Sequence, residues 1–177
     1  MPVYVGLIRA IGPATHARMS MLQLREACAR AGLADVASVG NTGNLIFGSE
    51  ASLVEARTLV QSAVRSFGLD NEVFLRRPVD MLAVIKANPF PAAAADRPHE
   101  VGVCSFHVAP DWAPVLSDYD GPEQLAIVGT HLVVAYPAGL AGSRLQIEKR
   151  LGATMTQRNW RVFAGLAERA ASFGTTS

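Results

Sequence analysis

Apolar and polar positions alternate with a period of two over Val3 to Ile8, with Val3, Val5 and Leu7 on one side and Tyr4, Gly6 and Ile8 on the other. This predicts a strand covered on both faces. Past Arg9 and the break at Ile11-Gly12-Pro13 the period lengthens, and Met21, Leu24, Cys28 and Ala31 recur on one helical face. Ser20 and Gln23 have the spacing of a capping box for that helix, and Gly32 stands where a left-handed cap would end it. Residues 36–40 and 45–47 read as short strands joined through Asn41-Thr42-Gly43-Asn44, residue types that tolerate positive φ at a tight reversal. Ser52 and Glu55 repeat the capping-box spacing ahead of the stripe Leu53, Ala56, Val60, Ala63, Val64 and Phe67, which ends at Gly68. Residues 73–76 alternate as an edge-like strand, and Pro78 opens a helix through Ala87 that Asn88-Pro89 stops.

The order then repeats. Residues 91–100, rich in Ala and Pro, read as a linker between a first half, 1–90, and a second, 101–177. Residues 101–108 form a strand, Asp111 caps a short helix containing Trp112, and residues 124–128 and 131–136 make a hairpin around Gly129-Thr130. Ser143 and Gln146 give a third capping box for a helix running to Leu151, residues 153–156 form a brief strand, and Asn159 caps a last helix with Phe163, Leu166 and Ala170 on its buried face. Residues from Ser172 onward are expected to fray. Each half thus reads β-α-β-β-α-β with a trailing helix. The fold class is α+β: two ferredoxin-like (βαββαβ) subdomains packed together, each an antiparallel sheet with helices on one face. The apolar content of the strands predicts that the opposite sheet faces cover each other or a second chain, with a ligand cleft between the halves.

Composition narrows the function. The 177 residues are 50% hydrophobic and 18% charged, enough for a real core. A net charge of +1 names neither nucleic acid nor an anionic membrane as partner. The start Met1-Pro2-Val3-Tyr4 lacks the basic and apolar regions of a signal peptide, and no apolar run reaches the roughly 18 residues of a membrane span. Two Cys make no disulfide framework and lie in no metal-binding spacing, so a reducing cytoplasm is the expected home, with no metal and no cofactor. Cys28 falls on an apolar helix face and Cys104 in mid-strand, which reads as small buried hydrophobes. Ser105 and His107 share a strand face but sit two apart, too divergent for a hydroxyl-imidazole bond, and there is no GxSxG elbow. The four His show no HxxxH spacing, and glycine fingerprints for nucleotides are missing. The strands lack the basic-aromatic signature of RNA-binding sheets, which argues against nucleic acid.

Leu7-Ile8-Arg9-Ala10-Ile11-Gly12, Asn41-Thr42-Gly43-Asn44-Leu45-Ile46-Phe47 and Thr156-Gln157-Arg158-Asn159-Trp160 resemble the first-strand motif, the S-G-N hairpin and the C-terminal T-x-R-N-W signature of the bacterial domain of unknown function 1697 family. Phe67-Gly68 and Asn88-Pro89-Phe90 also match in position. The resemblance implies a two-part ferredoxin-like α+β fold and no particular activity. This chain departs from the family's R-G-I-N, with Ala10 for the glycine and Gly12 for the amide.

Four polar residues stand at strand ends in an otherwise apolar framework. Arg9 ends the first strand on a rigid element, and Arg158 and Asn159 stand where a strand hands over to a helix. A guanidinium grips a carboxylate or phosphate bidentately. Asn44 adds an amide at a hairpin tip. Plain turn geometry accounts for Asn44 and an N-cap for Asn159, while internal ion pairs compete for both arginines. The expected function is a binding module for a small anionic ligand held by Arg9, Asn44, Arg158 and Asn159 between the halves. The alternatives are an enzyme acting on a phosphorylated or acyl substrate, and an interaction protein that forms a homodimer through a sheet face.

Overall fold

The computed structural model describes residues 1–174. Its elements are β1 (Val3–Ile8), α1 (Pro13–His16), α2 (Met21–Arg30), β2 (Ala34–Ser38), β3 (Asn44–Gly48), α3 (Leu53–Arg65), β4 (Val73–Arg76), α4 (Pro78–Ala87), α5 (Pro91–Asp96), a 3-10 turn at Pro98–Glu100, β5 (Val101–Phe106), α6 (Ala113–Leu116), β6 (Gln124–Val128), β7 (His131–Ala135), α7 (Ile147–Leu151), β8 (Met155–Asn159) and α8 (Trp160–Ala171). The chain divides into two compact units, one of Met1–Val79 with the segment that begins at Leu166, the other of Asp80–Gly165.

Each unit carries a four-stranded antiparallel sheet, in the orders β2-β3-β1-β4 and β6-β7-β5-β8. With the element order β-α-β-β-α-β in each, these are two ferredoxin-like subdomains. In the first, Tyr4 and Ile8 of β1, Leu45 and Phe47 of β3, and Val73 and Leu75 of β4 share one sheet face and form a core with Leu24, Cys28, Val60 and Val64 of α2 and α3. Both helices begin as their spacing predicts. Ser20 Oγ accepts from Gln23 N at 3.1 Å while Ser20 N donates to Gln23 Oε1 at 2.8 Å, and Ser52 and Glu55 make the reciprocal pair at 3.3 and 2.9 Å. Val5, Leu7, Ile46 and Phe74, on the opposite face, are buried as well, so β1 is covered on both sides. In the second subdomain Cys104, Phe106, Leu132 and Val134 pack with Val115 of α6 and Ile147 of α7.

Several boundaries differ from the sequence reading. Pro13–His16 forms a short helix, closed by Thr15 Oγ1 accepting from Gly12 N at 2.9 Å and donating to Gly12 O at 2.8 Å. Within residues 91–100 the alanines wind α5, with Ala94 buried. Trp112 precedes α6, although Asp111 Oδ1 does accept from Ala113 N at 3.1 Å. The capping box at Ser143 and Gln146 does not form, because Ser143 Oγ donates to Glu123 instead and Gln146 adopts a left-handed φ of +44° before α7. The strand expected at residues 153–156 is β8, displaced to Met155–Asn159. Of the expected fraying tail, Ser172 to Gly174 form a turn, and residues 175–177 lie outside the described residues. Among the described residues no helix is long and apolar enough to cross a membrane.

Candidate functional site

The displacement of β8 decides what Arg158 does. A strand that runs to Asn159 puts Thr156 and Arg158 on one face of the second sheet and Met155 and Gln157 on the other. The register pairs Ser105 with Thr156 on one side and with His131 on the other, and Val103 with Arg158. Directly paired residues of antiparallel strands share a face. His131, Ser105, Thr156 and Arg158 therefore form one polar group across β7, β5 and β8, on the face away from α6 and α7. Ser105 is 0% exposed, His131 2% and Thr156 4%.

The partners of these groups are specific. Arg158 Nη1 donates to Thr156 Oγ1 at 2.8 Å and to Gln157 O at 3.1 Å. Burial pushes the Arg158 guanidinium down to about 10, which still leaves it cationic at neutral pH. The His131 ring meets Phe163 of α8 edge to face, with centroids 5.5 Å apart. Ser105 Oγ, fully buried between Thr156 and His131, has no hydrogen-bond partner among the described residues. Such a hydroxyl is rare, since a buried polar group without a partner costs about 1–3 kcal/mol. A cavity of about 240 Å³, lined by His131, Thr130, Gly129, Val128, Asp80 and Ala83, opens at the His131 end of the group.

The other residues singled out by sequence are placed as follows. Arg9 follows β1 in the first subdomain, with its backbone tied to Glu72 O at 2.9 Å and to Asn71 Nδ2 at 3.0 Å. Asn44, 1% exposed, turns its amide inward, donating to Val39 O at 3.2 Å and Thr42 Oγ1 at 3.1 Å, so it holds the turn that leads into β3. Asn159 Oδ1 accepts from Val162 N at 2.9 Å and caps α8. Both amides thus serve local structure. Ser105 and His107 do not pair, because β5 ends at Phe106; the imidazole beside Ser105 is that of His131, on another strand. Sequence reading missed this neighbour because only the register reveals it. Cys28 and Cys104 are buried free thiols, and burial raises both, Cys28 to about 12. Cys104 Sγ donates to Gln157 Oε1 at 3.2 Å, its register partner on the face that carries α6 and α7. No three His, Cys, Asp or Glu gather as a metal site among the described residues.

A duplicated ferredoxin-like α+β protein, with a half-buried guanidinium and an unpartnered hydroxyl on one sheet face, is the class defined by this geometry. The chain belongs to the family described as Protein of unknown function (DUF1697), whose model matches residues 1–132. It is also similar to the solved structure of the conserved bacterial protein SP0830 from Streptococcus pneumoniae, at 18% identity and a TM-score of 0.76, over 97% of this chain and 99% of that one. At that identity the likeness bears on fold alone. No curated protein matches the chain.

The departure at Ala10 has a conformational consequence. Its φ is +60°, the left-handed region that a glycine occupies without strain and a Cβ makes costly. Ala10→Gly should therefore raise stability by about 1 kcal/mol, read as a higher urea midpoint at unchanged slope. A lower midpoint would mean that contacts of the Ala10 methyl outweigh the strain.

Proposed function

We propose that the protein binds a small anion through Arg158, with Ser105 as a hydrogen-bond donor beside it. The observation that carries this reading is the fully buried Ser105 hydroxyl, without a partner, on the same sheet face as a guanidinium that burial has partly stripped of water. An oxyanion would accept from the hydroxyl and from the guanidinium, a charge-assisted pairing about twice as strong as a neutral one. The cavity at His131 is lined by neither Ser105 nor Arg158, so the reading calls for a compact ligand such as phosphate, sulfate or a short carboxylate. The reading assigns Asn44 and Asn159 to local structure. Two buried free thiols support a cytoplasmic setting.

Calorimetric titration with phosphate, sulfate and acetate tests this. The native chain should bind at least one of them, Arg158→Ala should lose most of that affinity, and Arg158→Lys should lose more than tenfold because a point charge does not reproduce the planar fork. Ser105→Ala should weaken the same binding while raising stability by about 1 kcal/mol, since it removes a buried group that lacks a partner. If no anion binds the native chain, or Arg158→Ala binds as well as the native chain with its circular dichroism intact, the reading is wrong.

A further inference from the structure

The second subdomain has another polar centre, on the side of its sheet that carries α6 and α7. There the loop before β6 meets the loop between β7 and α7. The two are joined through one carboxylate: Tyr119 Oη donates to Glu123 Oε2 at 2.5 Å, and Ser143 Oγ donates to Glu123 Oε1. Burial would raise the Glu123 carboxyl, but hydrogen bonds from Ser143, Tyr119 and the backbone together hold it below the usual carboxylate range, so it is ionised at neutral pH. The hydrogen bond to Glu123 in turn raises the Tyr119 phenol. Gly121 makes the arrangement possible, since a Cβ there would lie 2.0 Å from Tyr119 Oη.

This framework aims two cations. The Arg150 guanidinium lies 4.6 Å from the centre of the Tyr119 ring, and its Nε donates to Leu145 O at 2.8 Å, which fixes the fork in place. Arg144 is exposed on the adjoining loop. Among the described residues neither arginine has an ion-pair partner. Both line a cavity of about 530 Å³, which Asp118 and Asp120 also line. That volume lies in the usual range for small-molecule sites and far exceeds a bare phosphate.

The mixture of charges selects the ligand. A molecule that is anionic throughout meets two aspartates and Glu123, and a cation meets two arginines. A molecule with its charge at one end and hydroxyls at the other satisfies both sets, because carboxylates accept from hydroxyls and guanidinium groups grip phosphate. We propose that this cavity binds a phosphorylated polyol or sugar, with Arg144 and Arg150 on the phosphate and Asp118 and Asp120 on the hydroxyls. The proposal does not rest on the Arg158 reading.

Calorimetric titration with glucose 6-phosphate and glycerol 3-phosphate, beside inorganic phosphate and glucose, tests it. At least one phosphate ester should bind the native chain ten times more tightly than either inorganic phosphate or glucose. Arg144→Gln, at an exposed position that leaves the fold alone, should lose more than tenfold of that affinity. The double variant Asp118→Asn, Asp120→Asn should bring the ester within threefold of inorganic phosphate, and Arg158→Lys should leave ester binding unchanged. Esters that bind no better than inorganic phosphate, indifference to Arg144→Gln, or loss of ester binding in Arg158→Lys would each overturn the proposal. Because Arg158→Lys affects one site and Arg144→Gln the other, failure of either reading leaves the other testable.

Discussion

Gly43→Ala will lower stability by about 3 kcal/mol, while the same change at Gly40, in the same loop, will cost only about 1 kcal/mol. Both glycines have positive φ, +84° and +67°, so both substitutions bear the left-handed strain of a Cβ. They differ in their surroundings. A Cβ at Gly40 meets nothing within 4 Å, whereas at Gly43 it would lie 2.6 Å from Ile11 Cγ1 and 2.9 Å from Ile8 O. Ile11 could rotate, but the Ile8 carbonyl is backbone, and the two segments are held together by Ile8 N donating to Gly43 O at 2.8 Å. Relief of the clash would therefore loosen the junction between the end of β1 and the start of β3. Urea unfolding followed by circular dichroism separates the two variants, and equal costs would show that conformational strain alone, without the close approach, accounts for the glycine.

What could be read from the sequence follows from how local each interaction is. The caps at Ser20 and Ser52 involve residues three apart, so the spacing alone was enough. Ser143 and Gln146 have the same spacing and fail, because a carboxylate twenty residues away in the chain takes the hydroxyl. The ferredoxin-like order was legible because periods of two and 3.6 survive in short segments. The polar group on the second sheet was not. Arg158 was singled out at a strand end, but its neighbours Ser105 and His131 come from strands that only the register places beside it. The run Thr156-Gln157-Arg158-Asn159 is polar on both faces, so its alternation carried no hydrophobic signal, and the strand was ended at residue 156.

Phe106→Ala will cost about 4 kcal/mol. Phe106 is 1% exposed and lies opposite Met155 in the register of β5 and β8. Its ring meets Trp112 at 88° with centroids 5.3 Å apart, a geometry worth about 0.5–1.5 kcal/mol beyond burial. Truncation forfeits the ring's transfer from water and leaves a cavity among Val115, Leu132 and Ile147, which are held by two helices and a central strand and cannot all close in. Phe106→Leu, which keeps most of the volume, should cost only about 1.5 kcal/mol. Trp112 fluorescence during urea unfolding reports both variants from within the affected cluster. The position also bears on function, because Ser105 precedes Phe106 on β5 and points to the opposite face. If the register survives truncation, the folded fraction of Phe106→Ala will bind anions with native affinity. A cost below about 2 kcal/mol together with lost anion binding would mean that β5 shifts against β8 to fill the hole, and that the hydroxyl of Ser105 depends on this ring for its place beside Arg158.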